Sequence, residues 1–208
     1  MTNRIHWENV YNTKQPNEVS WTQEKPETSL QLISKYNLPK TTKIIDVGGG
    51  DSNLVDFLLE QGFEDITVLD ISEKAIEKAK LRLGKMADKV KWIVSDITEF
   101  QPKETYDIWH DRATFHFLTQ EDQIEKYKRI VHTSVNKYLI MATFSNNGPL
   151  KCSGLEIKQY TIENLATVFS EDFDIIDGFY QDHQTPFGTV QNFVFCEFKK
   201  IKSQAVKI

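Results

Sequence analysis

The sequence predicts an α/β fold: a doubly wound sheet, mostly parallel, with helices on both faces and an antiparallel strand in a C-terminal hairpin. Two observations carry this expectation. From Lys43 onward short apolar runs alternate with amphipathic segments, the rhythm of βαβ units around a buried sheet. The last two apolar runs are joined by DHQTPFGT, which is too short for a crossover helix, so they pair antiparallel.

The elements follow in order. Residues 1–40 form an extension, with Trp7, Tyr11 and Trp21 interleaved among polar groups, prolines at 16, 26 and 39, and one or two short helices. The main domain is expected over 41–200, with 201–208 a tail. TKIIDV is the first strand, NLVDFLLEQG a helix ending at Gly62, and DITVLDI the second strand. SEKAIEKAKLRLG is a helix with Ser72 as N-cap and Gly84 as stop. KVKWIVSDI and YDIWHD are strands three and four, QEDQIEKYKRIVHTSV a helix, and KYLIMATFS the fifth strand. NNGPLKCSG is irregular, a helix runs from about Thr161 to Phe169, and FDIIDGFYQ and VQNFVFCEFK make the closing hairpin.

Composition narrows the partners. A chain of 208 residues fits one domain, and 39% hydrophobic with 26% charged residues supplies a core and excludes disorder. With 25 Lys+Arg against 30 Asp+Glu there is no broad positive field, which disfavours nucleic acid or an anionic membrane as partner. Cys152 and Cys196 lack CxxC spacing, so neither a disulfide framework nor a metal site is expected. MTNRIHWENV has no leader-like apolar core and no stretch reaches membrane-spanning length, so the expected location is cytoplasmic. Oligomeric state is not legible.

In an open parallel sheet, ligands bind beyond the carboxyl ends of the strands. After strand one comes Asp46-Val47-Gly48-Gly49-Gly50-Asp51-Ser52, where missing Cβ atoms let the chain turn tightly and let a ligand meet the backbone. After strand two sits Asp70, placed to accept from both hydroxyls of a ribose, and after strand three Asp96 with Ile97, suited to an adenine amino group and its flat face. Each acid also has a local reading, Asp70 as a helix N-terminal charge and Asp96 as a turn residue. No GK[ST] follows the glycines, which removes a P-loop, and Asn53 stands where a dinucleotide fingerprint needs its third glycine. Asp46 and Asp51 bracket the turn with negative charge, awkward for a pyrophosphate and favourable for a nucleoside with a cationic tail.

DVGGGDS, LDIS, SDI and YDIWHDRATFHFL resemble the successive cofactor motifs of class I S-adenosylmethionine-dependent methyltransferases, over about residues 41 to 118. The resemblance implies a Rossmann-like fold, S-adenosyl-L-methionine as cofactor, and methyl transfer to a small-molecule or protein acceptor. It further implies that Asp46, Gly48 and Gly50 line the methionine moiety, that Asp70 binds the ribose, and that Asp96 with Ile97 holds the adenine. Ile71 joins the cofactor set, and His110 falls beside the methyl donor. Two departures are visible: Ser52 replaces the last glycine of the longer family pattern, and Arg112 stands where nucleic-acid amino methylators often place Asn or Asp. The second speaks against a DNA or RNA base as acceptor. HWENVY, SWTQ, CSGL and HQTPFGTVQNF are similar to segments of small bacterial methyltransferases and, distantly, of protein-lysine methyltransferases.

For an in-line displacement, positioning contributes about 7–11 kcal/mol and a general base about 3–5 kcal/mol, so positioning dominates. The catalytic candidates are His110 and Asp111, closing strand four, and His183 in the polar hairpin loop. His116, between Phe115 and Phe117, reads as a packed core histidine. For the acceptor, Arg112 either binds a carboxylate or pairs with Asp111, and Cys152 either lines the pocket or is an inert thiol. Trp21 joins these as a substrate contact; with Trp7 and Tyr11 it forms either a lid that excludes water or a staple to the core. A nicotinamide-dependent oxidoreductase and a non-catalytic nucleoside-binding protein are the competing classes.

Overall fold

In the computed structural model, which describes residues 3–201, the sheet has seven strands. They are β1 (Lys43–Val47), β2 (Asp65–Asp70), β3 (Val90–Val94), β4 (Tyr106–Arg112), β5 (Val135–Phe144), β6 (Phe173–Gln184) and β7 (Val190–Lys200). Their spatial order is β3-β2-β1-β4-β5-β7-β6. The first five pair parallel, and β7 inserts antiparallel between β5 and β6. The reversal of order at β1 and β4 opens a crevice beyond their carboxyl ends, the switch point where open α/β sheets bind ligands.

Helices are α1 (Asn3–Thr13), α2 (Glu27–Ser34), α3 (Leu54–Glu60), α4 (Glu73–Leu83), α5 (Glu121–Ser134) and α6 (Ile162–Phe169). Strands buried on both faces read as continuous apolar runs, and each face has its own core. On one face Ile45, Val47, Trp109 and Met141 meet Tyr127 and Val131 of α5 and Leu165 and Phe169 of α6. On the other, Ile44, Val68, Ile108 and Ile140 meet Leu30 and Ile33 of α2 and Leu54 and Leu58 of α3. Ser72 caps α4 by accepting from the Ala75 amide at 3.2 Å, and Gly84 ends it with φ +55.

Several boundaries differ from the sequence expectation; β3, for one, ends at Val94 rather than Ile97. Val135 belongs to β5 rather than to the preceding helix, β4 continues through Arg112, and β6 runs to Gln184, so the hairpin turn shrinks to residues 185–189. The first forty residues divide in two. α2 is part of the core, and beyond its end Tyr36 stacks on Tyr138 at 3.7 Å and donates to the buried Glu197 at 2.7 Å. α1 has no buried residue and lies against α4. Among the described residues no helix is long and apolar enough to cross a membrane.

Candidate functional site

The carboxyl ends of β1 to β4 open on one cavity of about 940 Å³. The glycine turn after β1 shapes one wall. A Cβ on Gly48, whose φ is +69, would lie 1.8 Å from Oγ1 of Thr114, and one on Gly49 would lie 2.5 Å from the Asp46 carboxylate. Both glycines line the cavity, so bare backbone is its surface there. Gly50, expected as a lining position, stands behind that wall: a Cβ on it would fall 2.6 Å from Oδ2 of Asp70, so its smallness admits that carboxylate. Arg82 of α4 braces the turn from outside, donating to the Ser52 carbonyl at 2.9 Å and to Asp56 at 3.1 and 2.9 Å, and contacting the Asp51 carboxylate.

The three strand-end acids reach the same cavity, each carrying its local role with one oxygen. Asp70 accepts from the Ser72 amide at 2.8 Å, and Asp96 accepts from the amide and hydroxyl of Thr98, both at 2.8 Å. Burial pushes the Asp70 carboxyl up to about 7, opposed by the Ser72 amide and reinforced by the charges of Asp46 and Glu8. Asp46 holds Nδ1 of His110 at 2.7 Å, and Nε2 of His110 meets the Ser29 hydroxyl at 2.9 Å. With Nδ1–H donating to the carboxylate, Nε2 accepts from Ser29. Ile71 and Ile97 also line the cavity.

Of the catalytic candidates, His110 and His183 line the cavity and Asp111 does not. His110 lines the cavity but has both ring nitrogens engaged, so it lacks a free lone pair for a substrate proton. Asp111 points to the opposite face of β4: it is fully buried and accepts from the Tyr127 hydroxyl at 2.7 Å and from the amides of Thr114 and Phe115 at 2.9 and 3.2 Å. It ties the chain after β4 to α5 and does not touch the cavity. His183 is on β6, not in the hairpin loop; its Nε2 donates to the Ser20 carbonyl at 2.7 Å, and burial, then the Arg112 charge, lowers its pKa. It lines the cavity as a neutral ring with Nδ1 as acceptor.

Arg112, Trp21 and Cys152 all line the cavity. Arg112 does not pair with Asp111; it donates to the Trp21 carbonyl at 3.2 Å and lies 4.8 Å from the Phe193 ring centre. Burial pushes the Cys152 thiol up to about 12, so it is an unreactive wall atom at neutral pH. His116 is a core residue as expected, buried against Phe117 and Phe144 with its pKa lowered to about 3 by burial and the Arg112 charge.

α1 runs along the mouth. Trp7 makes edge contacts with Trp21 at 5.5 Å and Phe117 at 5.1 Å, and Tyr11 with Trp21 at 6.2 Å. Glu8 fastens it, accepting from the amides of Glu73 and Lys74 at 2.8 and 3.1 Å and from the Ser72 hydroxyl at 3.1 Å. Sequence reasoning missed Ser29, Thr114, Arg82 and Glu8, all joined to the site by contacts between distant segments. Only Arg82 left a signal, a basic residue in the last turn of α4.

Beyond the glycine turn and its acids, the sheet carries one reversed strand, β7, set between β5 and the edge strand β6. Residues 44–134 match the family model described as Methyltransferase domain, and the fold is that of S-adenosylmethionine-dependent methyltransferases of known structure. The structure of an S-adenosylmethionine-dependent methyltransferase from Anabaena variabilis superposes with a TM-score of 0.75 at 15% identity, covering 97% of this chain and 96% of that one. The N-methyltransferase NodS from Bradyrhizobium japonicum, in complex with S-adenosyl-L-homocysteine, superposes with a TM-score of 0.73 at 14% identity, covering 97% and 100%. The eEF1A lysine and N-terminal methyltransferase of Mus musculus is 28% identical over 121 residues, 57% of this chain but 17% of that protein's length.

The residues present fit S-adenosylmethionine. The glycine wall has no room for side chains, and the rim acids are the acceptor set a ribose diol, an adenine amino group and a cationic tail require.

Proposed function

We propose that the chain transfers the methyl group of S-adenosylmethionine to a nucleophilic atom of a small molecule, with a protein side chain as the second acceptor class. The observation that carries this reading is the continuity of one cavity from the glycine wall to a second wall of Trp21, Arg112, Cys152 and His183. The cofactor supplies a sulfonium methyl, and transfer to an acceptor lone pair leaves the S–C bonding electrons on sulfur. Asp70 and Asp96 hold the nucleoside end, and Asp46, fixed by His110, faces the cationic tail. Trp7, Trp21 and Phe117 cover the mouth with aromatic faces that favour a cation and exclude water.

The dinucleotide alternative loses ground at Asn53, whose amide donates to the carbonyls of Gln23 and Glu24 at 3.1 and 3.0 Å and draws the N-terminal segment over the third-glycine position. Coverage by α1 favours a small acceptor, while the name of the mouse relative supports a lysine side chain as the second class. A cytoplasmic location belongs to the same proposal, supported by two buried free thiols. Incubation with methyl-labelled cofactor and fractionated cell extract tests it: label is expected in the small-molecule pool. Label confined to macromolecules selects the second class, and cofactor binding without transfer to either pool rejects enzymatic activity.

A further inference from the structure

Among the described residues Arg112 makes no ion pair; the charge of Asp46 acts on it only from a distance. Arg82, on the other side of the cavity, meets the carboxylates of Asp51 and Asp56. Among the described residues the one hydrogen bond of Arg112 runs from Nη1 to the Trp21 carbonyl at 3.2 Å. A guanidinium has five N–H donors, so most of the fork is unspent. The neighbouring acids are committed elsewhere: Asp111 to Tyr127 and two amides, Asp46 to His110. The ring of Phe193, 4.8 Å away, keeps the fork in place.

Arg112 is half-buried on the cavity wall, and a guanidinium so placed without a paired anion gains most from a ligand that supplies one. Burial lowers the Arg112 pKa to about 10, which still leaves it fully charged at neutral pH. Arg112 also lines a side recess of about 180 Å³, walled by Gln23, Gln181, Gln184 and His183, residues that face the main cavity as well. Carboxamides add donors beside the fork. The acid of the recess, Asp182, is exposed and accepts from Asn192 at 2.7 Å.

Resting on the methyltransferase reading, we propose that Arg112 is the docking site for a carboxylate of the methyl acceptor, and that this acceptor is a small carboxylic acid whose apolar body lies against Trp7, Trp21 and Phe117. A carboxylate matches the fork with two parallel hydrogen bonds. Its single charge balances a single arginine. A phosphate dianion would bring a second charge into a cavity that already holds Asp46, Asp70 and Asp96.

Protein saturated with S-adenosylhomocysteine is titrated calorimetrically with 3-phenylpropionate, its amide 3-phenylpropionamide, and phenyl phosphate. The acid is expected to bind about tenfold or more tightly than the other two, as loss of a hydrogen bond to a charged group implies. Arg112→Gln is expected to erase that preference and Arg112→Lys to keep a small part of it, with S-adenosylhomocysteine affinity unchanged in both as the check on folding. No binding of the acid, equal binding of acid and amide, a preference for the phosphate ester, or an undiminished preference in Arg112→Gln overturns the proposal. Failure of S-adenosylhomocysteine to bind the unaltered protein overturns the methyltransferase reading instead.

Discussion

Two arginines face the same cavity from opposite sides and are treated differently by the fold. Arg82 is surrounded by acceptors from the chain itself, two carboxylates and two backbone carbonyls of the turn after β1. Arg112 has one carbonyl and an aromatic ring. The difference separates a donor side that is finished before any ligand arrives from an acceptor side that is left incomplete. A finished wall spends little on reorganisation when the nucleoside binds, whereas an incomplete one gains most from the correct partner and rejects wrong ones by leaving charge unpaired.

The strongest test of the finished side is Asp70→Asn. Two hydrogen bonds to a charged acceptor, each about 1.5–3 kcal/mol, predict at least about a hundredfold weaker binding of S-adenosylhomocysteine by calorimetry. The same residue predicts a pH dependence. Its carboxyl lies at about 7 in the folded chain against an ordinary value of 3.8, so between those limits the folded state holds the proton more tightly. The ligand-free protein therefore loses stability from this group as pH rises from about 4 to 7, while affinity for the ligand climbs, because a ribose diol donates to the ionised form. Asp70→Asn is expected to flatten both trends in thermal melts and titrations. Unaltered affinity in that variant breaks the donor side of the comparison.

Arg82→Ala sharpens it. Removing the outer brace frees the turn and strips one side chain from the cavity wall, and a loss of about 1.5 kcal/mol, roughly tenfold in S-adenosylhomocysteine affinity, is expected. Acid-over-amide discrimination at Arg112 should be unaffected, and a parallel loss there would mean that the two sides are one unit.

The smallest effect is expected at Glu8→Gln. The Glu8 carboxylate holds α1 on the first turn of α4 by accepting from two backbone amides, a capping interaction worth about 1 kcal/mol. Turnover should fall about fivefold with cofactor affinity nearly constant, and tryptophan emission should shift to the red as Trp7 and Trp21 meet water. Unchanged turnover would make α1 a staple rather than a lid.

The donor side is legible because it is local: a strand, a glycine turn and an acid recur within short stretches, and the parallel register, which sets Asp46 opposite Val68, brings Asp70 to the same sheet edge two residues further on. The acceptor side is harder. Successive residues of a strand face opposite ways, so His110 and Asp111 could not both reach the cavity, and alternation assigns Arg112 to the side of His110. Period-two reading of WHDR would have removed Asp111 from the catalytic candidates. His183 reads as a loop residue because β6 is an edge strand, whose polar, half-solvated pattern imitates a turn. The burial of α2 left little trace, since eight residues between prolines carry too short a period to declare a face. The Ser29 contact to His110 joins residues 81 apart and could not be seen without the fold.

Because β7 runs backwards, the turn from Thr185 to Thr189 hangs over the rim of the cavity at the free margin of the sheet. Lengthening or shortening it would leave the five parallel strands in register and the nucleoside cradle untouched. That hem is one further place to tailor the wall that Arg112 and Trp21 begin, and grafting the stretch from one homologue to another should alter acceptor preference while leaving cofactor affinity unchanged.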